Sequence, residues 1–285
     1  MDIKNLFGFE GKNVVITGAG SGMGLAATKL LASLGAKVYA STRRKPLDFP
    51  VEKEIKVMDL GDPDEIDRFI ARLPDTIDAL FLCHGISNTP DNTNAVKLNL
   101  TNFFSFKVLT EKLLPRIADN GSVTFISSNG GQNWRKNLAA CREVIACASW
   151  DEALHWYESH EETKKGYVFS KECQHAYVMG KAWSPEFIGR KIRLNCIAPG
   201  MTLTGLNDDF NRAVMPGGCE PEVGKAILEK YMLGPWNGRW AQPEEMGYPL
   251  VALGSRISSY ISGQIVYIDY GSSATAEYKA LIQNT

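Results

Sequence analysis

Short apolar runs recur along the chain, and stretches with helical periodicity separate them. The runs predict seven strands, at residues 14–17, 38–41, 55–58, 79–83, 123–127, 192–197 and 264–268. Pro63 marks the start of one intervening helix. Short apolar strands that alternate with helices predict an α/β fold. We therefore expect a single doubly wound Rossmann-type domain over residues 1–285, with a parallel sheet of about seven strands that binds ligands at its carboxyl edge.

A glycine-rich segment follows the first predicted strand. Residues 17–24 read TGAGSGMG and lead directly into the helical pattern of residues 25–31. Glycine allows positive φ and a close approach of the backbone to a ligand. The helix start offers N–H groups and a positive dipole end to a pyrophosphate. A plain βα turn has the same glycines, but the flanking strand and helix favour a dinucleotide site.

Composition excludes several classes of partner. The 285 residues carry a net charge of −1, which gives no electrostatic reason to expect binding to nucleic acid or an anionic membrane. No apolar run approaches the ~18 residues of a membrane span, and residues 1–6 lack the core of a signal peptide. The six cysteines form no C-x-x-C pair, which suggests reduced thiols and a cytoplasmic location. His155 and His160 lack companion ligands, so we expect no metal.

Tyr167 and Lys171 are spaced for joint chemistry. Residues four apart lie on one helix face. A phenol with a pKa near 10 is a poor base at neutral pH. An ammonium about 4 Å away contributes roughly 4 kcal/mol at an effective dielectric of 20, which corresponds to about three pKa units. This pair therefore predicts a phenol poised for proton transfer.

Tyr177 and Lys181 repeat the same spacing, and geometry separates the two pairs. Ten residues turn a helix by about 280° beyond two full turns and advance it about 15 Å, so both tyrosines cannot serve one site. Gly166 interrupts the pattern just before Tyr167, which allows a crossover helix of about 17 residues from there. Because catalytic groups are expected at the carboxyl edge of the sheet, we assign the role to Tyr167.

With these motifs the chain resembles the short-chain dehydrogenase/reductase family over nearly its whole length. The family's T-G-x-x-x-G-x-G and Y-x-x-x-K motifs are matched in full, and residues 195–200 match N-x-x-x-P-G. Other motifs are matched in part. Asp59-Leu60 resembles the adenine-side acidic position, residues 83–85 keep only Gly85 of N-A-G, and residues 269–271 differ once from D-G-G.

The resemblance implies a catalytic tetrad of Asn99, Ser128, Tyr167 and Lys171. Tyr167 would exchange a proton with the substrate oxygen, while Lys171 would lower the phenol pKa and hold the ribose hydroxyls. Ser128 would hydrogen-bond the substrate oxygen, and Asn99 would hold a proton-relay water near Lys171. Ordinary capping or turn roles are the alternative for Asn99 and Ser128. The implied cofactor-binding residues are Thr17, Gly18, Ser21, Gly22, Met23, Gly24, Thr42, Arg43, Asp59, Leu60, Gly85, Tyr167, Lys171, Pro199, Gly200, Thr202 and Thr204.

The end of the second strand bears on the choice of cofactor. An acidic residue there binds the ribose 2′-hydroxyl of NAD(H). This chain has Thr42-Arg43-Arg44 instead, and guanidinium groups suit a 2′-phosphate. The arginines alternatively form a solvated loop. We expect NADP(H), with NAD(H) as the alternative.

Two segments vary most from the family layout, an insertion at about 129–166 and a substrate loop at about 201–240. The long insertion resembles that of bacterial 3α-hydroxysteroid dehydrogenases/carbonyl reductases. The resemblance implies an NADP(H)-dependent oxidoreductase that interconverts a secondary alcohol and a ketone on a hydroxysteroid or other bulky hydrophobic substrate. A generic carbonyl, acyl-carrier or polyol reductase is the alternative, and a non-catalytic dinucleotide sensor is a remote one. The aromatic residues of both segments line a pocket or pack on each other or on another subunit, and we expect a homodimer or homotetramer.

Overall fold

Seven strands form one sheet in which every neighbouring pair is parallel. The computed structural model describes residues 2–43, 46–90, 94–236 and 238–283. The strands are β1 (Asn13–Thr17), β2 (Lys37–Thr42), β3 (Lys53–Lys56), β4 (Ile77–Leu82), β5 (Ile117–Ile126), β6 (Arg193–Pro199) and β7 (Ile265–Ile268). Their spatial order is β3-β2-β1-β4-β5-β6-β7. The predicted doubly wound fold is confirmed, and the order reverses between β1 and β4, where such sheets bind ligands.

Helices connect the strands and flank the sheet. They are α1 (Ile3–Phe7), α2 (Gly22–Ser33), α3 (Pro63–Ile70), α4 (Ala95–Asn99), α5 (Ser105–Leu113), α6 (Leu138–Ala146), α7 (Trp150–Ser159), α8 (Tyr167–Lys181), α9 (Pro185–Ile188), α10 (Asn207–Arg212), α11 (Pro221–Leu228), α12 (Pro243–Gly254) and α13 (Ser272–Gln283). Segments of π-helix lie at Leu100–Phe104 and Glu229–Leu233, and 3-10 turns at Asn129–Gly131 and Glu161–Lys165. Helix α8 begins at Tyr167, as predicted, directly after Gly166 with φ +55°.

Helices cover both faces of the sheet. Successive residues of each strand point to opposite sides, so each central strand contributes side chains to two hydrophobic cores. Val15 and Leu80 belong to the hydrophobic core on the side of α3, α5 and α8. Val14, Ile16 and Phe81 belong to the core on the side of α2 and α12. This two-sided burial explains why the central strands read as uninterrupted apolar runs.

The aromatic residues of the 129–166 insertion pack into the core beside α8. Trp156 stacks on Phe169 with ring centroids 5.7 Å apart and planes at 15°. Trp150 meets Phe104 edge-on at 5.5 Å. Tyr157 is fully buried. The insertion therefore adds aromatic side chains to the hydrophobic core against which α8, the helix that begins at Tyr167, packs.

The described residues contain neither a candidate membrane span nor a candidate metal cluster. No helix among them is long and apolar enough to cross a membrane. No three of their His, Cys, Asp or Glu side chains gather in a cluster that could hold a metal ion.

Candidate active site

The glycine turn between β1 and α2 is packed too closely for side chains. A Cβ on Gly18, which has φ +66°, would lie 2.7 Å from the backbone nitrogen of His84. A Cβ on Gly24 would lie 2.2 Å from the Gly18 carbonyl oxygen. Ser21 caps α2 without a side-chain hydrogen bond. The first amides of a helix have no partner within it, and this tight cradle at a helix N-terminus fits the pyrophosphate of a dinucleotide.

His84 stands at the alanine position of the family's N-A-G motif and links the end of β1 to helix α5. Thr17 Oγ1 accepts a hydrogen bond from Cys83 N (3.1 Å) and lies 2.8 Å from His84 Nδ1, which accepts from the hydroxyl because burial keeps the ring neutral. His84 Nε2 lies 2.8 Å from Ser105 Oγ, and Ser105 donates to Thr101 O (2.6 Å). The ring is therefore neutral with its proton on Nε2. Burial, reinforced by nearby Lys171, lowers the pKa of His84 to about 3.

Asp59 and Leu60, the residues expected on the adenine side, follow strand β3. Asp59 pairs with Lys97 at 2.8 Å and accepts the Gly61 N–H at 2.8 Å. Burial of Asp59 acts the other way, but these bonds and the charges of Lys97 and Arg43 hold the pKa of Asp59 below its usual value. Leu60 is buried beside it.

An acidic side chain from β3 reaches the end of β2. Thr42 Oγ1 donates to Glu54 Oε1 at 2.5 Å, and Leu47 N donates to Glu54 Oε2 at 3.1 Å. Arg43 next to Thr42 is exposed, whereas Arg44 lies outside the described residues. The sequence did not indicate Glu54, because its position depends on the register that pairs Ala40 with Glu54.

Three members of the expected tetrad meet at the carboxyl edge of β5. Ser128 follows this strand, accepts the Gly130 N–H at 3.1 Å, and is hydrogen-bonded to the Tyr167 hydroxyl. Tyr167 opens α8, and its backbone N–H donates to Asn88 Oδ1 at 2.9 Å. The Lys171 ammonium lies 5.2 Å from the centre of the Tyr167 ring. This arrangement lets Tyr167 and Ser128 contact one substrate oxygen.

Burial shifts both titrating groups of this cluster away from their charged forms. It raises the pKa of Tyr167 to about 12, although the hydrogen bond with Ser128 opposes the rise. It lowers the pKa of Lys171 to about 7. The expectation that Lys171 lowers the phenol pKa is therefore not met in the protein alone. The reason is that Lys171 directs its hydrogen bonds to Ile126 O at 3.2 Å and Gln174 Oε1 at 3.2 Å instead of to the phenol. The Tyr167 side chain is itself half-buried.

Asn99 ends α4, immediately before the first π segment. Its Nδ2 donates to Ala95 O at 2.9 Å and to Thr163 O at 3.3 Å. Its Oδ1 is buried with no hydrogen-bond partner in the described part of the chain. The side chain thus connects α4 to the turn that precedes Tyr167. The amide that contacts Lys171 belongs to Gln174, a residue that the motifs did not indicate.

The carboxyl end of β6 completes the edge. Pro199 is its last residue, Gly200 N donates to Ile268 O at 3.0 Å, and Thr202 Oγ1 donates to Gly200 O at 3.0 Å. Thr204 lies against the glycine turn, since a Cβ on Gly22 would meet its side chain at 3.4 Å. The chain therefore returns from β6 to the start of α2.

Helix α10 packs against Tyr167. Phe210 meets Tyr167 edge-on, and Asp209 accepts a hydrogen bond from Ser87 at 3.0 Å. A cavity of about 310 Å³ opens beside Asn129, the residue after Ser128. Its lining comes from both ends of the 201–240 segment, from α12 and from the residues around the end of β7. It includes the apolar residues Met201, Met232, Leu233, Met246 and Ile268 and the polar residues Arg239, Glu245, Asp269 and Ser272.

Sequence comparison agrees with this geometry. The family model described as short chain dehydrogenase matches residues 12–140, and one described as Enoyl-(Acyl carrier protein) reductase matches residues 160–273. Coniferyl-alcohol dehydrogenase of Pseudomonas sp. (strain HR199 / DSM 7063) is 31% identical over 205 residues, which cover 70% of this chain and 76% of that protein. The chain belongs to the short-chain dehydrogenase/reductase family.

Other relatives of this short-chain dehydrogenase cover nearly its full length. The 3-oxoacyl-(acyl-carrier-protein) reductase FabG of Thermotoga maritima is 28% identical over 291 residues, covering 92% of this chain and 98% of its own. Among solved structures, 3-alpha-hydroxysteroid dehydrogenase from Pseudomonas sp. B-0831 complexed with NADH has a TM-score of 0.72 at 22% identity, covering 94% and 99% of the two chains. BdcA in complex with NADPH has a TM-score of 0.66 at 19% identity, covering 92% and 94%. The short-chain dehydrogenase is thus an oxidoreductase that acts on CH–OH groups with NAD(P)(H).

Proposed function

We propose that the protein interconverts a secondary alcohol and a ketone on a hydroxysteroid or another bulky hydrophobic substrate, with Tyr167, Ser128 and Lys171 as its catalytic residues. The observation that supports the proposal is the cavity of about 310 Å³ beside Asn129, the residue after Ser128, whose lining combines several apolar side chains with polar ones such as Arg239 and Glu245. Apolar walls with a few convergent polar groups are typical of sites for hydrophobic small molecules.

The side chains divide the proton chemistry between them. In ketone reduction, the Tyr167 hydroxyl donates its proton to the substrate oxygen, and Ser128 donates a hydrogen bond to the same oxygen. In alcohol oxidation, the Tyr167 oxygen accepts the proton. The nicotinamide, when bound, supplies or accepts the hydride. In its charged form, Lys171, 5.2 Å from the centre of the Tyr167 ring, would attract the phenolate and so oppose the effect of burial, which raises the pKa of Tyr167 to about 12. We assign Asn99 to holding the turn before Tyr167, through Thr163.

Two features at the end of β2 act in opposite directions on cofactor choice. The exposed Arg43 supports NADP(H), since a guanidinium suits a 2′-phosphate. Glu54, bonded to Thr42, favours NAD(H), because a carboxylate repels a phosphate and accepts from a ribose hydroxyl. We propose NADP(H) as the preferred cofactor because Arg43 extends into solvent beside the site, while both carboxylate oxygens of Glu54 already accept hydrogen bonds.

An aromatic alcohol is the second candidate substrate. The edge-on contact between Phe210 and Tyr167 offers an aromatic surface beside the reacting oxygen, and aromatic rings favour such contacts. The relative named coniferyl-alcohol dehydrogenase supports the same candidate.

A substrate panel tests these proposals. We would assay 3-hydroxysteroids and 3-ketosteroids, aromatic alcohols and aldehydes, 3-oxoacyl thioesters and polyols, each with NAD(H) and NADP(H), by absorbance of the reduced nicotinamide. We expect the highest kcat/KM with a steroid and NADP(H). A preference for an aromatic alcohol selects the second candidate, and a preference for a thioester or polyol rejects both.

We also propose a homodimer or homotetramer in the cytoplasm. Strand β7 is the last strand of the sheet, and Trp183, Tyr260 and Ile261 are exposed around its start. A Cβ on Gly263 would contact Ala182 at 3.3 Å, so the 260–263 turn lies against the end of α8. Exposed aromatic clusters of this kind mark association surfaces. Light scattering should give a multiple of the chain mass, and Tyr260→Asp should reduce it.

A further inference from the structure

Gln174 joins Lys171 to the main chain of the π segment. It lies one turn after Lys171 on α8 and is completely buried. Its Oε1 accepts from Lys171 Nζ at 3.2 Å, and its Nε2 donates to Asn102 O at 2.6 Å. The orientation of this amide follows from chemistry, because an ammonium only donates and a carbonyl only accepts.

The bridge continues into the loop after β4. The Asn102 side chain binds Ile86 twice, with Oδ1 accepting from Ile86 N at 2.8 Å and Nδ2 donating to Ile86 O at 2.9 Å. A Cβ on Gly85 would lie 3.2 Å from Asn102 Oδ1. Lys171 is thereby linked to the backbone on both sides of the site, at Ile126 on β5 and, through Gln174, at Asn102.

We propose that Gln174 is a positioning residue that holds the Lys171 ammonium beside Tyr167, by direct contact rather than through a water held by Asn99. The inference rests on the proposed role of Lys171. An amide oxygen accepts a hydrogen bond but does not pass a proton on at ordinary pH, so Gln174 fixes Lys171 and does not relay protons. A hydrogen bond to the charged form also favours that form.

The surroundings leave Lys171 dependent on this acceptor. The titratable groups that face Lys171 from the neighbouring elements are Cys83 and His84 after β4, Cys196 on β6, and Tyr167 and His175 on α8. Burial keeps all of them uncharged near neutral pH, since it raises the pKa values of the thiols and the phenol and lowers those of both histidines to about 3. No carboxylate in the described ranges forms a hydrogen bond or ion pair with Lys171. Two neutral acceptors, Ile126 O and Gln174 Oε1, therefore stabilise its charge.

Two substitutions at one position should move the titration of Lys171 in opposite directions. Gln174→Met removes the acceptor at similar volume and should lower the pKa of Lys171 by about one to two units, the equivalent of one hydrogen bond to a charged group. Gln174→Glu supplies a charged acceptor and should raise it. Cys173→Ala is the control, because Cys173 is buried in the same turn but faces Cys141.

The first measurement is independent of turnover. NMR of the 15N-lysine-labelled protein without cofactor follows the Nζ signal of Lys171 against pH, assigned with Lys171→Met. The second is the pH dependence of kcat/KM on the best alcohol found in the panel, whose alkaline limb should move with the Nζ titration. If Gln174 had only a structural role, its substitution would lower kcat/KM equally at all pH values and leave the Lys171 titration unchanged. The control Cys173→Ala should likewise leave the Lys171 titration unchanged.

The outcomes separate the two proposals. Opposite shifts in Gln174→Met and Gln174→Glu support the positioning role, even if no alcohol or ketone in the panel reacts, in which case the proposed function alone fails. Unchanged Lys171 titration in both variants overturns the positioning role, whatever the enzyme turns over.

Discussion

The rings of Phe210 and Tyr167 meet at a right angle, with centroids 5.0 Å apart and planes at 86°. Helix α10 thereby places an apolar surface against the residue that we propose as the proton-transfer group. A substrate that reaches Tyr167 from this side must bind next to the Phe210 ring or displace that ring from Tyr167. The ring of Phe210 therefore belongs to the substrate side of the site.

Removal of the Phe210 ring should weaken substrate binding selectively. An aromatic pair contributes about 0.5–1.5 kcal/mol beyond its buried area, so we expect Phe210→Ala to raise KM for a hydrophobic substrate about 2- to 13-fold. Nucleotide affinity, measured by fluorescence titration, should stay the same. Met215→Ala in the same loop is the control, since Met215 is exposed. Equal effects of both variants on KM would contradict the assignment.

Turnover should depend on Tyr167 and not on Tyr177. Loss of a proton-transfer group costs about 10²- to 10⁴-fold in rate, so Tyr167→Phe should lose nearly all kcat while still binding nucleotide. Tyr177 is 1% exposed and packs against Phe103 and Phe125 in the core. Tyr177→Phe should keep kcat within a few-fold of the wild type. Comparable loss in the two variants would refute the choice between the two motifs.

Cofactor preference should respond to both charges at the end of β2. Arg43→Ala should raise KM for NADP(H) about 10- to 150-fold, the value of one charge-assisted hydrogen bond, and leave NAD(H) nearly unchanged. Glu54→Gln removes a negative charge beside Thr42 and should lower KM for NADP(H). Steady-state kinetics with both nucleotides check these expectations. A wild-type enzyme that works better with NAD(H) at equal concentration would show that Glu54 outweighs Arg43.

Acid should destabilise the fold through its buried histidines. Burial lowers the pKa of His175 to about 3, although its hydrogen bond to Gly131 O at 3.0 Å opposes the fall. The unfolded chain therefore binds a proton below pH 6.5 that the folded chain does not bind until about pH 3. The contribution of such a histidine to the free energy of unfolding is fully present at neutral pH and decreases as the pH drops below 6.5. Between pH 7 and 5 the loss is about 2 kcal/mol for one histidine.

Urea unfolding at pH 7 and pH 5 measures this loss. His175→Asn retains an N–H group for Gly131 O but does not titrate, so its stability should fall by about 2 kcal/mol less than that of the wild type over this range. His155→Asn on the exposed side of α7 is the control and should match the wild type. Identical pH slopes in His175→Asn and the wild type would mean that the buried ring is not the source.

The sequence predicted the central strands well because they are buried on both faces, and edge strands less well. Strand β3 lies at Lys53–Lys56 instead of residues 55–58, since only Ile55 of its side chains is buried. Strand β5 begins at Ile117, six residues before the predicted start, in a polar stretch whose side chains carry no apolar pattern. As a sequence pattern, the aromatic residues of the insertion were compatible with a pocket lining and with a packed core. The structure shows core packing, with Trp156 stacked on Phe169.

The site was predictable where a motif fixes the local backbone. Gly166 predicted the start of α8 at Tyr167, whereas α2 begins at Gly22, three residues before the predicted helical pattern at residues 25–31. Glu54 and Gln174 escaped prediction because their contacts join distant segments: Glu54 depends on strand register, and Gln174 on the approach of α8 to the π segment. One signal was available for Gln174, a polar side chain on the buried face of a helix, which requires a partner.

The hydrogen bonds that connect Thr17, His84 and Ser105 make the residue type at one position depend on the residue type at another. The alanine of N-A-G has no polar side-chain atom, so replacing His84 alone by alanine would leave Ser105 Oγ without its donor and Thr17 Oγ1 without its partner. Among homologous sequences, histidine after the fourth strand should therefore occur together with serine or threonine at the position of Ser105. Alanine in place of the histidine should leave the position of Ser105 free to vary, so the residues at these two positions should covary.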